Sequence, residues 1–367
     1  MTETKDLSIY IHIPFCEQKC NYCAFNSFCA SEQVRNEYID LLCKEIENRK
    51  VKRPIKTIYI GGGTPSVLTE NQIEKIIKCV YDNFDVYEDA EFTIEANPNS
   101  ISEELLKVWK NLRINRLSIG VQSLSDKSLK KIGRLHDKKM AVEKIKLARH
   151  YFDNVSADLI VGLEGETGKD LCSYAKTLLG LGVKHISCYL LEIYKNTKLY
   201  QEIMQKKYKP LGDEQMIDSF NKLANYLQDA GMERYEISNF SFPGYESRHN
   251  LNYWARGEYL GFGLSAHSYI DGKRIQNAGT ISDYKLGKQE IEVLTKQDEI
   301  EEEIMLGLRC KLGVDIEKVK KIGYDITQNQ FFNDYLAEGV LKLENDKLFL
   351  NPIFYHISNT IISNLFS

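Results

Sequence analysis

The sequence predicts an α/β fold in which a partial (β/α)6 barrel of the TIM type is followed by a smaller domain. Two observations predict this fold. Six short apolar runs rich in β-branched residues alternate with segments of helical period over the first two-thirds of the chain. The chain has 367 residues, enough for a barrel-sized domain and a second, smaller one. Six strand–helix units form a parallel sheet and exceed one half of a doubly wound fold.

The expected strands are the six apolar runs, at residues 7–13, 57–60, 91–96, 116–121, 155–161 and 185–191. Helical period predicts helices over 34–46 and 73–84. The second of these follows a capping box formed by Thr69 and Gln72. Further helices are expected to begin near Ser102 and Asp213.

The pattern changes after Ala278, which predicts two domains, 1–280 and 281–367. A polar connection is expected over 281–294, helices over 299–312, 315–322 and 328–338, and a hairpin over 341–350 that turns at Asn345 and Asp346. A final helix follows. Three helices and a two-stranded wing are typical of a winged helix. From residue 289 onward, however, fourteen acidic residues outnumber eight basic ones, so this winged-helix-like α+β domain is not expected to bind DNA.

The composition is that of a soluble globular protein, with 43% hydrophobic and 27% charged residues. The net charge of −4 gives no electrostatic reason to expect a nucleic-acid partner. The polar N-terminus predicts no signal peptide, and no apolar stretch is long enough to span a bilayer. Nine cysteines without a secretory signal favour a cytoplasmic protein with metal-binding thiols over disulfides.

Three cysteines, Cys16, Cys20 and Cys23, follow the first expected strand with the spacing C-x3-C-x2-C. Thiolates hold iron–sulfur clusters, and a four-iron cubane normally takes four of them. A local set of three leaves one iron open to another ligand, which indicates a reactive centre. The spacing therefore favours a [4Fe–4S] cluster.

A structural zinc site is the alternative that the spacing leaves open. His12 or Cys29 could complete a tetrahedral set with the three cysteines. Structural zinc usually joins two separate ligand pairs, and the chain has no second C-x2-C pair.

Polar or glycine-rich segments also end the next four strands. The run from Gly61 to Pro65, G-G-G-T-P, ends the second strand, and single polar residues stand at the end of or within the third, fourth and fifth: Glu95, Gln122 and Asp158. Such residues are costly to bury without a partner. Because active sites of barrels lie at the C-terminal ends of the strands, these segments predict one polar ligand site.

Together these motifs resemble the radical S-adenosylmethionine (radical SAM) superfamily: the cysteine motif, G-G-G-T-P, and E-x-N-P at Glu95. The runs S-I-G-V-Q-S at Ser118, G-R-L-H at Gly133 and A-D-L-I at Ala157 resemble its coproporphyrinogen dehydrogenase-like branch. The resemblance covers nearly the whole chain.

The resemblance implies a [4Fe–4S] cluster on Cys16, Cys20 and Cys23 and a bound SAM that chelates the open iron. The implied SAM residues are Gly62, Gly63 and Thr64 at the methionine end, Glu95 and Gln122 at the ribose or amine, Arg134 at the carboxylate, Asp158 at a further polar group, Tyr10 and Tyr22 beside the cluster loop, and Glu192 through its backbone near the adenine.

Two departures bear on the subfamily. The coproporphyrinogen dehydrogenases carry a fourth nearby cysteine where this chain has Phe25, and a long extension before the cluster motif. Both features resemble instead the haem chaperones of the HemW type, which also carry an H-N-x-x-Y-W run, here from His249 to Trp254. The resemblance makes His249 a candidate haem ligand with Tyr253 beside it, and His267 a comparable candidate.

The implied function is that of a haem chaperone that binds haem and passes it to an acceptor haemoprotein. The implied partners also include an electron donor such as a flavodoxin or a quinol system, with possible peripheral membrane contact through the acceptor. The main alternative is an oxygen-independent coproporphyrinogen III oxidase of porphyrin biosynthesis, and a zinc-dependent structural protein is the third. The sequence leaves open whether SAM is cleaved in turnover.

Overall fold

Six parallel strands form the centre of the protein, which a computed structural model describes over residues 6–366. The strands are β1 (Leu7–Ile13), β2 (Ile55–Gly62), β3 (Val86–Ala96), β4 (Arg116–Gln122), β5 (Asn154–Val161) and β6 (His185–Leu190). Each strand pairs in parallel with the next one along the chain. The partial (β/α)6 barrel predicted from the sequence is confirmed, although β2 and β3 begin earlier than the apolar runs suggested.

Helices connect these strands and cover the outer face of the sheet. They are α1 (Glu32–Asn48), α2 (Glu70–Asn83), α3 (Glu103–Asn111), α4 (Asp126–Lys131), α5 (Lys138–Tyr151), α6 (Gly168–Gly180), α7 (Lys198–Met204) and α8 (Asp213–Asp229). The Thr69 hydroxyl accepts from the backbone N–H of Gln72, and the Gln72 side chain accepts from that of Thr69, which confirms the predicted capping box. Ser102 caps α3 in the same position.

Additional strands widen the sheet at both edges. They are β7 (Glu233–Arg234), β8 (Asn239–Ser241), β9 (Tyr259–Phe262), β10 (His267–Ile270), β11 (Lys273–Asn277) and β12 (Gln289–Val293), with α9 (Arg248–Trp254) and α10 (Ile281–Lys285) between them. The full order is β12-β11-β10-β9-β1-β2-β3-β4-β5-β6-β8-β7.

The prediction of a polar connection over 281–294 was wrong. Strand β12 pairs along its whole length with β11 at the edge of the large sheet, while all five of its side chains are exposed. An edge strand that is exposed on both faces buries no side chains, so it needs no alternation of apolar and polar residues. Its sequence therefore lacks the pattern from which a strand is predicted. The domain boundary at 280 stays a prediction.

The C-terminal part of the chain forms a separate small core. Its elements are α11 (Lys296–Gly307), β13 (Val314–Asp315), α12 (Ile316–Ile322), α13 (Phe332–Ala337), β14 (Leu341–Glu344), β15 (Lys347–Leu350) and α14 (Ser358–Asn364). Asn345 and Asp346 both have positive φ, as the predicted two-residue turn of the β14–β15 hairpin requires. No helix among residues 6–366 has the length and apolar composition needed to span a lipid bilayer.

The two faces of the central strands differ in polarity, and this difference positions the site. Alternate residues such as Ile9, Ile11 and Ile58 are fully buried in the core between sheet and helices. The residues between them point to the barrel interior and carry polar groups. Ser118 of β4, for example, donates to the carboxylate of Asp158 on β5 at 3.2 Å. Side chains point alternately to the two faces of a strand. The apolar residues that face the helices therefore determine which polar residues face the barrel interior.

Helix α9 is attached to the interior of the barrel by His249. The imidazole Nδ1 lies 2.7 Å from the Thr57 hydroxyl and Nε2 lies 2.9 Å from the Tyr253 hydroxyl. The Glu91 carboxylate accepts from the backbone N–H groups of Arg248 and His249, at the N-terminus of this helix. His249 is fully buried, so its ring is part of the packing of the barrel.

Replacing His249 by alanine is expected to lower the free energy of unfolding by about 3 kcal/mol, since the Thr57 and Tyr253 hydroxyl groups each lose a hydrogen bond and a cavity remains. Urea denaturation followed by circular dichroism measures this change. His150→Ala, at an exposed position of α5, is the control and should change stability by less than about 0.5 kcal/mol. An unchanged midpoint for His249→Ala would contradict a packing role.

Glu236 lies at the junction between the barrel and the C-terminal core. It is fully buried, accepts from the backbone N–H of Ser238 at 3.1 Å, and forms an isolated antiparallel bridge with Cys310. Nearby, the Arg234 guanidinium lies 4.5 Å from the ring centre of Tyr355 and 4.7 Å from that of Phe220. Burial raises the pKa of Glu236 to about 7.

Glu236 is therefore expected to make the protein less stable as the pH rises. The folded chain keeps this proton up to about pH 7, whereas the unfolded chain loses it near pH 4.5, so the contribution to stability is greatest below pH 4.5 and is lost by about pH 7. The free energy of unfolding of Glu236→Gln, relative to that of the wild type, should increase by about 2 kcal/mol between pH 5 and pH 8. Urea unfolding at both pH values tests this, with exposed Glu290→Gln as the control that should show no such growth.

Candidate functional site

A cavity of about 940 Å³ opens at the C-terminal ends of the barrel strands and is closed on one side by the C-terminal core. It collects most of the site residues predicted from the sequence. Those that line it are Cys16, Cys20, Tyr22, Cys23, Gly62, Gly63, Thr64, Glu95, Gln122, Arg134, Asp158 and Glu192.

The cysteine loop follows β1 and places three partly buried thiols on the cavity wall. Backbone hydrogen bonds fix the loop, since Cys16 N–H donates to Phe28 and Cys23 N–H donates to Cys20. The Thr64 hydroxyl donates to the Cys16 sulfur at 3.5 Å. Burial raises the pKa of the Cys16 and Cys23 thiols, so a positively charged metal centre would be needed to hold them as thiolates.

The groups that could complete a zinc site have other partners. The His12 Nδ1 lies 3.0 Å from the Tyr10 hydroxyl, and its Nε2 lies 3.2 Å from the carbonyl of Asn26. Cys29 is exposed, and its thiol donates to the Glu17 carbonyl at 3.1 Å. Within residues 6–366 no three metal-binding side chains converge on one point. A four-iron cluster has no such requirement, because each thiolate binds a different iron.

The three glycines at the end of β2, Gly61 and Gly62 within the strand and Gly63 just after it, let this strand end approach the cysteine loop closely. Gly62 has φ of +116°, and a Cβ there would lie 2.6 Å from the His12 ring. A Cβ on Gly63 would lie 2.7 Å from the carbonyl oxygen of Phe15. The Gly63 N–H donates to Ile13 at 2.8 Å, and the Thr64 N–H donates to Phe15 at 2.8 Å. Larger residues would separate the two segments.

Two carboxyl groups form the floor of the cavity. The Glu95 carboxylate accepts from the Tyr59 hydroxyl at 2.8 Å and from the Gly62 N–H at 3.1 Å. Asp158 accepts from Ser118 on the neighbouring strand. Burial raises the pKa of Glu95 to about 7 and raises that of Asp158. A cationic ligand would favour the ionised form of both groups, so this floor suits an amine or a sulfonium.

Arg134 connects the cysteine loop to the strand ends. Its guanidinium donates to the Gly120 carbonyl at 2.5 Å, to the Asn97 side-chain oxygen at 2.6 Å and to the Cys20 sulfur at 3.5 Å. Asn97 in turn donates to the Thr64 hydroxyl at 3.0 Å. Gln122 lies beside this group with φ of +66°, where the pairing of β4 with β5 shifts register. The Arg134 Nε has no partner among the described residues.

The structure does not bring four predicted site residues into the cavity. Tyr10 is partly buried, does not line the cavity and hydrogen-bonds to His12. Both ring nitrogens of His249 are engaged in the barrel interior, one of them by Tyr253, so His249 could bind iron only by giving up one of these two contacts. His267 is exposed at the start of β10, away from the cavity wall. The geometry thus does not support the haem roles expected of His249, Tyr253 and His267. Of the H-N-x-x-Y-W run, Trp254 alone lines the cavity.

Several lining residues were not predicted from the sequence, among them Tyr59, Asn97 and Ser118. Asn97 belongs to the E-x-N-P run, so the sequence already showed that it follows Glu95 by two residues. Side chains alternate between the two faces of a strand, so this alternation along β2 and β4 could have indicated Tyr59 and Ser118, which share a strand face with residues already named.

Comparison with known proteins places the chain among related sequences. Residues 10–178 match the radical SAM superfamily, and residues 294–352 match the HemN C-terminal domain. The chain is 36% identical to the heme chaperone HemW of Lactococcus lactis, over 95% of this chain and 92% of that protein. It is 39% identical to the HemW of Bacillus subtilis over 84% of both, and 32% identical to that of Escherichia coli over 96% and 98%.

A solved structure shares the whole architecture. Coproporphyrinogen III oxidase (HemN) from Escherichia coli superposes with a TM-score of 0.84 at 23% identity, over 98% of this chain and 90% of that one. At this identity the likeness establishes the fold and leaves the activity open. The sequence relationships are closer, and on them the chain belongs to the HemW family of radical SAM proteins.

Proposed function

We propose that this protein is a haem chaperone, which binds haem and passes it to an acceptor haemoprotein. The observation that carries the proposal is the two-part character of the cavity. Its floor is polar and ends in three cysteines, whereas its mouth is lined by exposed apolar side chains such as Phe25, Tyr194 and Ile353. A large, flat, hydrophobic ligand suits the mouth. The HemW relatives bear the name of heme chaperones, which supports the same function.

The cavity floor fits the cofactors that the superfamily implies. Cys16, Cys20 and Cys23 would hold a [4Fe–4S] cluster, and Glu95 and Asp158 would face the cationic groups of SAM. When bound, the cluster and SAM supply one-electron chemistry. Arg134 has two roles here, since it holds the Cys20 side of the loop and adds positive charge beside the thiolates.

Phe25 favours the chaperone over an oxygen-independent coproporphyrinogen III oxidase. It stands where the oxidases carry a further cysteine, and its side chain is 70% exposed on the cavity wall. An apolar ring at this position adds to the surface that a porphyrin would cover. An electron donor, a haemoprotein acceptor with possible peripheral membrane contact, and a cytoplasmic location remain parts of the proposal.

Replacing Cys16, Cys20 or Cys23 by serine is expected to abolish cluster assembly, because each thiolate would hold one iron. After anaerobic reconstitution, iron, sulfide and visible absorbance should fall to background in each variant. Cys29→Ser is the matched control, since this exposed cysteine lies close in sequence but outside the cavity, and it should assemble the cluster normally. A cluster retained without Cys20 would contradict the assignment.

Haemin added to the anaerobic, cluster-loaded protein is expected to produce a saturable shift of the Soret band at one haem per chain. This titration tests the chaperone function directly. A failure to bind, together with SAM-dependent decarboxylation of coproporphyrinogen III in the presence of a reductant, would instead establish the oxidase. Transfer of the bound haem to an apo-haemoprotein, followed by absorbance, completes the test.

A further inference from the structure

The cavity wall contains a histidine that the sequence patterns did not single out. All seven histidines of the chain lie within residues 6–366, and among them His356 alone lines the cavity. It belongs to the short 3-10 helix Pro352–Ile357 that precedes α14 in the C-terminal core. Its side chain is exposed, so it faces the space in which a ligand would lie.

The hydrogen bonding of His356 prepares one ring nitrogen for a metal. Its Nδ1 lies 2.9 Å from the carbonyl of Ile353, a group that only accepts, so this nitrogen carries the proton. In the neutral imidazole, Nε2 is then the nitrogen whose lone pair can bind a metal. Histidines that bind metals commonly donate their other ring N–H to a backbone carbonyl in this way. In His249, by contrast, both nitrogens contact buried hydroxyl groups.

A cationic side chain, that of Arg309, lines the same cavity as His356. The Arg309 guanidinium donates to the Asn359 side-chain oxygen at 2.5 Å, and Asn359 follows His356 by three residues. Both Arg309 and Asn359 line the cavity. A guanidinium on the cavity wall can bind a carboxylate, and haem carries two of them as propionates.

Apolar groups line the same cavity as these two polar residues. Ile353 lies on the same 3-10 helix as His356, is 62% exposed and lines the cavity. Trp254 and Leu190 approach the cavity from the barrel side. The wall thus offers a nitrogen for iron, a cation for a propionate and apolar surface for the macrocycle, on two structural units that meet at the cavity.

We propose that haem binds at this wall, with His356 Nε2 as an axial ligand of the iron and Arg309 as the partner of a propionate. The inference rests on the proposed function and assigns its ligand site to the C-terminal core. The haem would lie between that core and the barrel, outside the polar floor. The C-terminal core would then take part in holding the cargo as well as closing the cavity.

The test compares haemin binding by wild-type protein and His356→Ala, both cluster-loaded and full-length. The variant should bind haemin at least about tenfold more weakly, with a displaced Soret band and loss of the imidazole signature in the EPR spectrum of the ferric complex. Added imidazole should restore the wild-type spectrum. His150→Ala and His267→Ala serve as controls at exposed positions outside the cavity and should bind as the wild type does.

A second variant tests the propionate contact separately. Arg309→Gln should weaken binding of haemin about tenfold but leave binding of its dimethyl ester unchanged, because the ester has no carboxylate to pair. Equal weakening of both ligands would indicate damage to the wall and overturn the role of Arg309. Thermal melting and cluster content of each variant show whether the fold is retained.

The outcomes separate the two proposals. Wild-type protein that shows no saturable Soret shift would overturn the chaperone function and this site with it. Saturable binding by the wild type with an unchanged spectrum and affinity in His356→Ala would leave the chaperone function standing and overturn the axial ligand. Loss of the shift in His267→Ala instead would transfer the ligand role to the exposed β10 position.

Discussion

The alternation of side chains along six parallel strands is the constraint on which the rest of the structure depends. Isoleucine, leucine and valine on one face bury the helices against the sheet, and this packing fixes the register of each strand. The intervening residues are thereby committed to the barrel interior. Glu95, Ser118 and Asp158 reach the same cavity because their parallel strands direct the same set of alternating side chains inward, and Gln122 joins them where the pairing of β4 with β5 shifts register. A register shift of one residue in any of these strands would turn its polar side chains away from the cavity and its apolar side chains toward it.

Desolvation determines the electrostatic character of the site. Burial raises the pKa of Glu95, Asp158, Cys16 and Cys23, so each of these groups holds its proton more strongly than it would in water. A cationic ligand or metal centre reverses this effect by stabilising the charged form. The floor of the cavity is therefore more favourable to such ligands than a solvated set of the same residues would be.

The cavity joins two structural units with different roles. The barrel provides the cysteine loop, the glycine bend and the carboxyl floor, which are held together by Arg134, Asn97 and backbone hydrogen bonds. The C-terminal core provides a wall with exposed apolar groups, a histidine and an arginine. The buried Glu236 and the stacked Arg234 lie where the two units meet, so the geometry of the mouth depends on that junction.

The sequence by itself determined the strand–helix alternation, the cysteine motif, the glycine bend and the polar strand ends, because each depends on local pattern and spacing. It could not determine strands such as β12, whose stability comes from a neighbouring edge rather than from its own residues. It also singled out His249 and not His356. The first stands in a recognisable run, yet tertiary packing directs both of its nitrogens to buried hydroxyl groups, whereas the second has no motif and is brought to the cavity by the fold of the C-terminal core. Spacing determines which residues are near each other along the chain, and only long-range packing decides which of them share a cavity.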